Sequence, residues 1–592
     1  MPDQGAQQAE SAPSPGARLG AVALATLVVA SPWPMGGAPE WAFRALSLLA
    51  LGVAAIAVAE LVVRPRTGVF LSPFAPLYGL ALLGCLQLLP LPLLLHHWLA
   101  PGSAAMWHPA DPVAAAVLGP GLKPLSVFPA ATLRGVAWLL GLAALATVAG
   151  PALRELSWAR KLALAAIAGG LLVAVYGIVA RVAYGPRLFG FLAVPTVSPF
   201  GPFVSKNHFA AYVSALALVS LGFAVGLADA ARRDVSWLSW VRSPRAAQVV
   251  LAFGASLVLV LAVLVAQSRG GALGLGAGVA AFLLLRLSRG RRLSARGGGL
   301  VVLLGAASVL IVLTLLPSEA RSRLSTLAGS PDPSGTFRLG VWKDALVTFR
   351  ASPWLGHGLG SFEDALPPHK TVAGELRVEH AENDFLEILV DAGFVAGALV
   401  AWGIALLVRS SRVALGRRGL ERGLALGAAA AVVGLAVHSL VDFPLRLPAV
   451  ASAFVVVVSL SCAVGGEVPA GASLTRTGAI AGFAVLLAVW VHAFIAPPLA
   501  ARAGALPGVQ RAIRSGAAGP APSRARTTAA ELRLYLQSRP GDAEAWALLA
   551  WLRAREGDRA GAVALARHAA GLDPRREALQ SYARSLEEPA AR

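Results

Sequence analysis

The sequence predicts an all-α protein that crosses a membrane about twelve or thirteen times and ends in a small soluble helical region. Three observations carry this. Of 592 residues, 56% are hydrophobic and only 14% are charged, which is too apolar for an ordinary soluble chain. Apolar runs recur, each of about 20 residues and so long enough to cross roughly 30 Å of hydrocarbon. Lys and Arg gather in the connectors between alternate runs, as membrane orientation demands. The net charge of +20 would suggest nucleic acid for a soluble protein. Placed in short connectors it is explained by orientation, and no nucleic-acid partner is expected.

Residues 1–18 are polar and rich in Pro, Ser and Gln. They show no cleavable signal, so the first apolar run is expected to be retained. Spans are predicted at 19–36, 41–63, 73–94, 131–150, 161–181, 208–229, 247–267, 271–286, 299–316, 386–408, 423–441, 448–465 and 477–496. Pro32 and Pro34 shorten the first. Arg64 and Arg66, Arg154 to Lys161, Arg232 to Arg245, Arg286 to Arg296 and Arg409 to Arg422 all mark one side. That side is then cytoplasmic, together with the N-terminus. Loops 95–130, 182–207 and 317–385, and the tail after 496, fall on the opposite face. Cys85 and Cys462 both lie in apolar runs and suggest neither a metal site nor a disulfide.

The predicted domains are therefore a membrane domain over 19–496, a linker over 497–528 rich in Ala, Pro, Gly and Arg, and a helical region over 529–592. Trp546, Leu549, Ala550, Gly557, Ala562, Ala569 and Pro574 fall at the spacing of one tetratricopeptide repeat. One repeat is too little for a solenoid. A helical cap and a partner-binding module remain equal readings.

Chemistry is expected in the large loop at 317–385. It holds nine of the chain's 31 acidic residues, seven basic residues and three histidines. Four patterns stand at the loop face. In His380-Ala-Glu382-Asn383-Asp384-Phe-Leu-Glu387, positions Asn383, Glu387 and Asp391 are four apart and share a helix face. Complementing the helix dipole would explain Glu382 and Asp384 but not Asp391, which lies further into a span. Gln267-Ser268-Arg269-Gly270-Gly271 forms a tight turn, where Arg269 is equally a phosphate donor or a headgroup anchor. Lys206, Asn207 and His208 open the sixth span and read as phosphate ligands or as an interfacial anchor. His438 and Asp442 are four apart and read as a catalytic or a supporting pair. Their convergence on one face is what favours a catalytic cavity.

The segments GPFVSKNHFAAY, SRGG, GTFRLGVWKDAL, PWLGHGLGSF, HAENDFLEILVDAGFVAG and HSLVDFPLRLPA follow one another over roughly 195–465. In their order and spacing they resemble the O-antigen ligase and Wzy-type polysaccharide polymerase superfamily of bacterial inner membranes, some members of which also carry repeat-containing tails. The resemblance implies a fold like the C-type glycosyltransferases. It implies transfer of a glycan from undecaprenyl pyrophosphate at the periplasmic face to lipid A core, a growing glycan or a protein hydroxyl. It further implies that Arg269 and Arg338 contact the pyrophosphate, with Lys206 and His208 in support. The family's histidine directly before Asn is replaced here by Glu382, since Asn383 is followed by nine residues and then Gly393. Either Glu382 is the base or His380 reaches in from the loop; a buried carboxyl can do this work if its pKa rises. No cofactor and no metal are expected, because the first outer loop offers only Glu40. A protein O-oligosaccharyltransferase is an alternative within the class. A flippase or transporter without chemistry would need mid-membrane ionisable residues and paired broken helices. A structural assembly protein recruiting a periplasmic partner through its tail would leave Arg269, Arg338 and Glu382 unexplained.

Overall fold

A computed structural model describes residues 13–63, 74–194, 198–229, 239, 242–287, 333–372, 374–465, 476–495 and 522–588. The helices are α1 (Pro15–Ala30), α2 (Glu40–Val63), α3 (Ala75–Gln87), α4 (Leu93–Leu99), α5 (Pro101–Trp107), α6 (Pro112–Leu118), α7 (Pro129–Leu153), α8 (Leu156–Tyr184), α9 (Lys206–Asp229), α10 (Pro244–Ala266) and α11 (Arg269–Leu287). They continue with α12 (Pro333–Ala351), α13 (Phe362–Ala365), α14 (Asp384–Ala414), α15 (Gly419–Ser439), α16 (Pro448–Gly465) and α17 (Arg476–Ile495). The tail adds α18 (Pro522–Leu536), α19 (Ala543–Arg555), α20 (Arg559–Leu572) and α21 (Glu577–Glu587). The fold is all-α. Among the described residues its one sheet is a two-residue pairing, Pro90↔Pro124 and Leu91↔Lys123.

Eight of the described helices are long and apolar enough to cross a membrane, and four further apolar stretches are shorter. This is a polytopic membrane protein. The expected span at 73–94 is reduced to α3, because Pro90 and Pro92 prevent a continuous helix. Loop 95–130 is largely helical. The expected span at 299–316, the connectors with Arg64, Arg66, Arg232, Arg233 and Arg289 to Arg296, and most of the expected linker lie outside the described residues. Helix α18 starts at Pro522, inside the stretch read as linker.

Glycines set the closest packing. A Cβ on Gly222 would stand 2.3 Å from the carbonyl oxygen of Gly423, and one on Gly423 would stand 2.3 Å from that of Gly222. Gly274 and Gly434 oppose each other in the same way at 2.6 and 2.8 Å. Small residues four apart let α9, α11 and α15 touch backbone to backbone, the usual device where lipid removes the hydrophobic drive between helices. Fixing these three axes fixes their ends. The start of α9, the start of α11 and the end of α15 meet at one end of the bundle; the opposite end holds the Arg286–Asp229 ion pair.

Helix α14 is broken. Gly393 has φ +68° and ψ −165°, a region essentially reserved for glycine. The backbone groups freed there are satisfied by the PWLGHGLG loop. Phe394 N–H donates to the Pro353 carbonyl at 2.8 Å, while His357 N–H and Gly358 N–H donate to the carbonyls of Val390 and Asp391 at 3.1 and 2.8 Å. Gln87, buried at the end of α3, donates to the carbonyls of Leu355 and Asp391 and accepts from Leu359 N–H. The break is thus a built element that ties the loop before the site to the helix after it.

The tail packs as four helices around Trp546, Leu549 and Leu565, and its core takes in Ala114, Val117 and Leu118 of α6. It also grips the large loop. Arg539 Nε lies 2.9 Å from both oxygens of Asp364, and Lys370 Nζ lies 3.0 Å from Asp573 Oδ2. Asp364 is 1% exposed.

Candidate functional site

The site is built from four segments that the glycine-packed bundle and the broken helix bring together. Its centre is Asp442, in the turn after α15. His208 Nε2 from α9 lies 3.4 Å from Oδ1, His438 Nε2 from α15 lies 4.0 Å from Oδ2, and Arg338 Nη2 from α12 lies 3.9 Å from Oδ2. The neighbouring imidazoles outweigh burial and hold the Asp442 carboxyl down to about 2, so it is ionised. His208 Nε2, His438 Nε2 and Asp442 Oδ2 are buried and make no hydrogen bond among the described residues.

Glu382 stands beside this centre. Arg338 Nε donates to its Oε2 at 3.1 Å, and Trp342 Nε1 donates to its carbonyl at 3.4 Å. These contacts hold Glu382 at φ +55°, a left-handed conformation uncommon for a residue with a Cβ. Burial and the charge of Asp442 raise its pKa against the pull of Arg338.

His380 forms a second, adjoining group. Its ring stacks on Phe443 at 4.0 Å, and His208 meets the same ring edge-on at 4.8 Å. His380 Nδ1 lies 2.9 Å from Glu387 Oε1, while Ala381 N–H donates to Glu387 Oε2 at 2.9 Å. Burial opposes the imidazolium charge, but Glu387 outweighs it and raises the pKa of His380. Among the described residues Nε2 of His380 has no hydrogen-bond partner.

Under Glu387 lies Arg446, which sequence reasoning did not single out although it sits within HSLVDFPLRLPA. Its Nε is 3.2 Å from Glu387 Oε1 and its Nη1 is 2.9 Å from Asp391 Oδ2. Asp391 also accepts from Gly360 N–H at 2.9 Å. The shared face of Glu387 and Asp391 therefore serves a buried arginine, which accounts for a carboxylate that the helix dipole could not explain. Arg446 is pushed still higher by these carboxylates despite burial. Asn383 caps α14, its Oδ1 accepting from Phe385 and Leu386 N–H at 3.0 Å, and its Nδ2 donates to the Leu440 carbonyl. Asp384 Oδ2 accepts from Ser439 Oγ at 2.8 Å. These bonds splice the start of α14 to the end of α15.

The remaining expected residues stand at the same end. Lys206 and Arg269 are the first residues of α9 and α11. The two turns are joined by Ser268 Oγ donating to Asn207 Oδ1 at 2.8 Å, and Gly270 lies against His438, leaving 2.9 Å between an added Cβ and Nε2. Gln87 and His357 were also missed by sequence reasoning. A lone glutamine in an apolar run and a histidine between glycines were the available signals. Burial lowers His357 to about 4, so its neutral ring shares Nδ1 with the Val390 carbonyl.

Cations, imidazoles and carboxylates at one end of a membrane bundle suit the handling of an anionic leaving group and a hydroxyl proton. No curated protein matches the chain. The O-antigen ligase family model matches residues 254–401, from α10 through the SRGG turn, Arg338, His380 and Glu382 to the span after the Gly393 break. The matched stretch is similar to the O-antigen ligase family, and it lies within a polytopic membrane protein.

Proposed function

We propose that this site transfers a glycan from a polyprenyl-pyrophosphate carrier to an acceptor hydroxyl at the periplasmic face of a bacterial inner membrane. The acceptor oxygen attacks the anomeric carbon of the donor sugar. The bond from that carbon to the pyrophosphate oxygen breaks, and its electron pair leaves with the pyrophosphate. The acceptor proton passes to His380 Nε2. Arg338, with Arg269 and Lys206 at the neighbouring helix starts, neutralises the charge developing on the leaving group. Asp442 aligns Arg338 with His208 and His438.

One observation carries the choice of base: His380 Nδ1 is bound to the buried Glu387 carboxylate, which leaves the opposite nitrogen for the substrate. Glu382, by contrast, has its carboxylate engaged by Arg338. In this reading Glu382 positions the arginine and the His380–Glu387 pair takes the place of the family's histidine before Asn.

The test is release of polyprenyl pyrophosphate by purified protein in lipid, with several acceptors present. Acceptor-dependent release is expected from the wild type and from Glu382→Gln at reduced rate, and loss of release from His380→Ala. Full activity in His380→Ala with loss in Glu382→Gln would make Glu382 the base. Movement of the lipid-linked glycan across the bilayer without release would replace transfer by a flippase reading.

A further inference from the structure

Helix α12 has two faces of different chemistry. One carries Arg338 and Trp342 to Glu382 and buries Val341 and Ala345. The other is exposed, and its members Leu339, Lys343, Leu346, Val347 and Arg350 recur at the spacing of a single helical stripe. Leu339 is 55%, Leu346 41% and Val347 45% exposed. The two charges on this stripe are both basic, and among the described residues neither Lys343 nor Arg350 pairs with a carboxylate. The acidic residue nearest in sequence, Asp344, turns inward to accept from Thr371 N–H at 2.7 Å.

The stripe leads onto the exposed side of α14. Phe349, at the end of α12, meets Phe394 edge-on at 4.9 Å, and Trp354 lies 5.9 Å from the same ring. Trp354, Phe394 and Val395 are themselves exposed, at the point where α14 leaves its break and becomes a span. A tryptophan at such a boundary, followed by a stripe of Leu, Val, Lys and Arg without acid, has the composition of a helix that lies on an anionic bilayer.

We infer that the outward face of α12 is a membrane-docking face, seated on the anionic headgroup layer at the site end of the bundle, and that it holds Arg338 at headgroup depth. The inference rests on the membrane embedding of the chain and not on the transfer reading. Its consequence is that a lipid-anchored anion meets Arg338 without leaving the bilayer plane.

The test uses the full chain in nanodiscs, with a spin label at V347C on a background in which Cys85 and Cys462 are replaced by Ala. Collision with oxygen, which partitions into lipid, is compared with collision with a water-soluble nickel chelate. Labels at F394C and in the tail at R584C serve as lipid and water references. In phosphatidylglycerol discs position 347 is expected to follow the F394C reference, and in pure phosphatidylcholine to shift toward the R584C reference. Adding Lys343→Glu and Arg350→Glu should abolish the dependence on phosphatidylglycerol, while Lys343→Arg should preserve it. A label that follows the water reference in both lipids overturns the inference. A label shielded from both probes also overturns it, since the face would then be covered by protein, either by residues 288–332 or by a second copy of the chain.

Discussion

The break at Gly393 gives the sharpest prediction. An added Cβ at this position would stand 2.2 Å from the Trp354 carbonyl oxygen and 2.4 Å from its carbon. Real contacts of this kind are not found under 3.0 Å, so backbone must yield by close to an ångström. Two backbone segments oppose each other here, so no side chain can rotate away. The φ of +68° adds an intrinsic penalty of about 1–3 kcal/mol for any residue other than glycine. The displaced segment includes Asp391, which fixes Arg446 and through it Glu387 and His380. A misplacement of about 1 Å in a catalytic frame costs on the order of 100-fold in rate. Gly393→Ala is therefore expected to lower the melting temperature in detergent and to reduce glycan transfer by about that factor. Gly403→Ala, in the same helix, meets only Pro76 at 3.6 Å and is the control; it should be neutral or stabilising by up to roughly 1 kcal/mol. If Gly393→Ala melts and turns over like Gly403→Ala, the break does not fix the site.

Other perturbations follow from the same contacts. His380→Ala should reduce transfer by about 10²–10⁴-fold, the usual share of a general base. The base must be neutral, so the rate should rise as pH increases through the His380 pKa, which Glu387 holds above the ordinary 6.5; Glu387→Gln should move that acid limb to lower pH, and an unmoved limb would separate His380 from the rate. Arg446→Met leaves Glu387 and Asp391 buried without their cation and should destabilise by about 3–5 kcal/mol, read by thermal melting, with Arg446→Lys a poor substitute because one ammonium cannot meet both carboxylates. Arg539→Ala leaves the buried Asp364 with only Arg377, at 3.4 Å, and removes a guanidinium 4.3 Å from the centre of the Phe128 ring. The contact between tail and loop should then loosen and the segment around Asp364 become more protease-sensitive, an outcome that unchanged proteolysis would refute.

The sequence by itself determined the fold class and the end of the bundle where the candidate site residues gather. Apolar runs and their connectors are local properties, and the physics that places them in a membrane acts on each run alone. Every candidate residue lies at one end because the ends of successive spans are set by alternation. Tertiary structure decided which of these residues meet. Asp442 and His438 are four apart in sequence, yet only the approach of α9 and α12 makes Asp442 a hub. Asp391 was visible as an anomaly, and its explanation, Arg446, comes from a turn 55 residues away. Gly393 matched a family spacing, but the reason for a glycine there is the Trp354 carbonyl, which no local rule contains. The tail read equally as a cap or an adaptor, and the buried Lys370–Asp573 and Arg539–Asp364 pairs bind it to the loop that leads to the site. Such pairings depend on distances across the fold, where a sequence gives residue types and periodicity but not which surfaces meet.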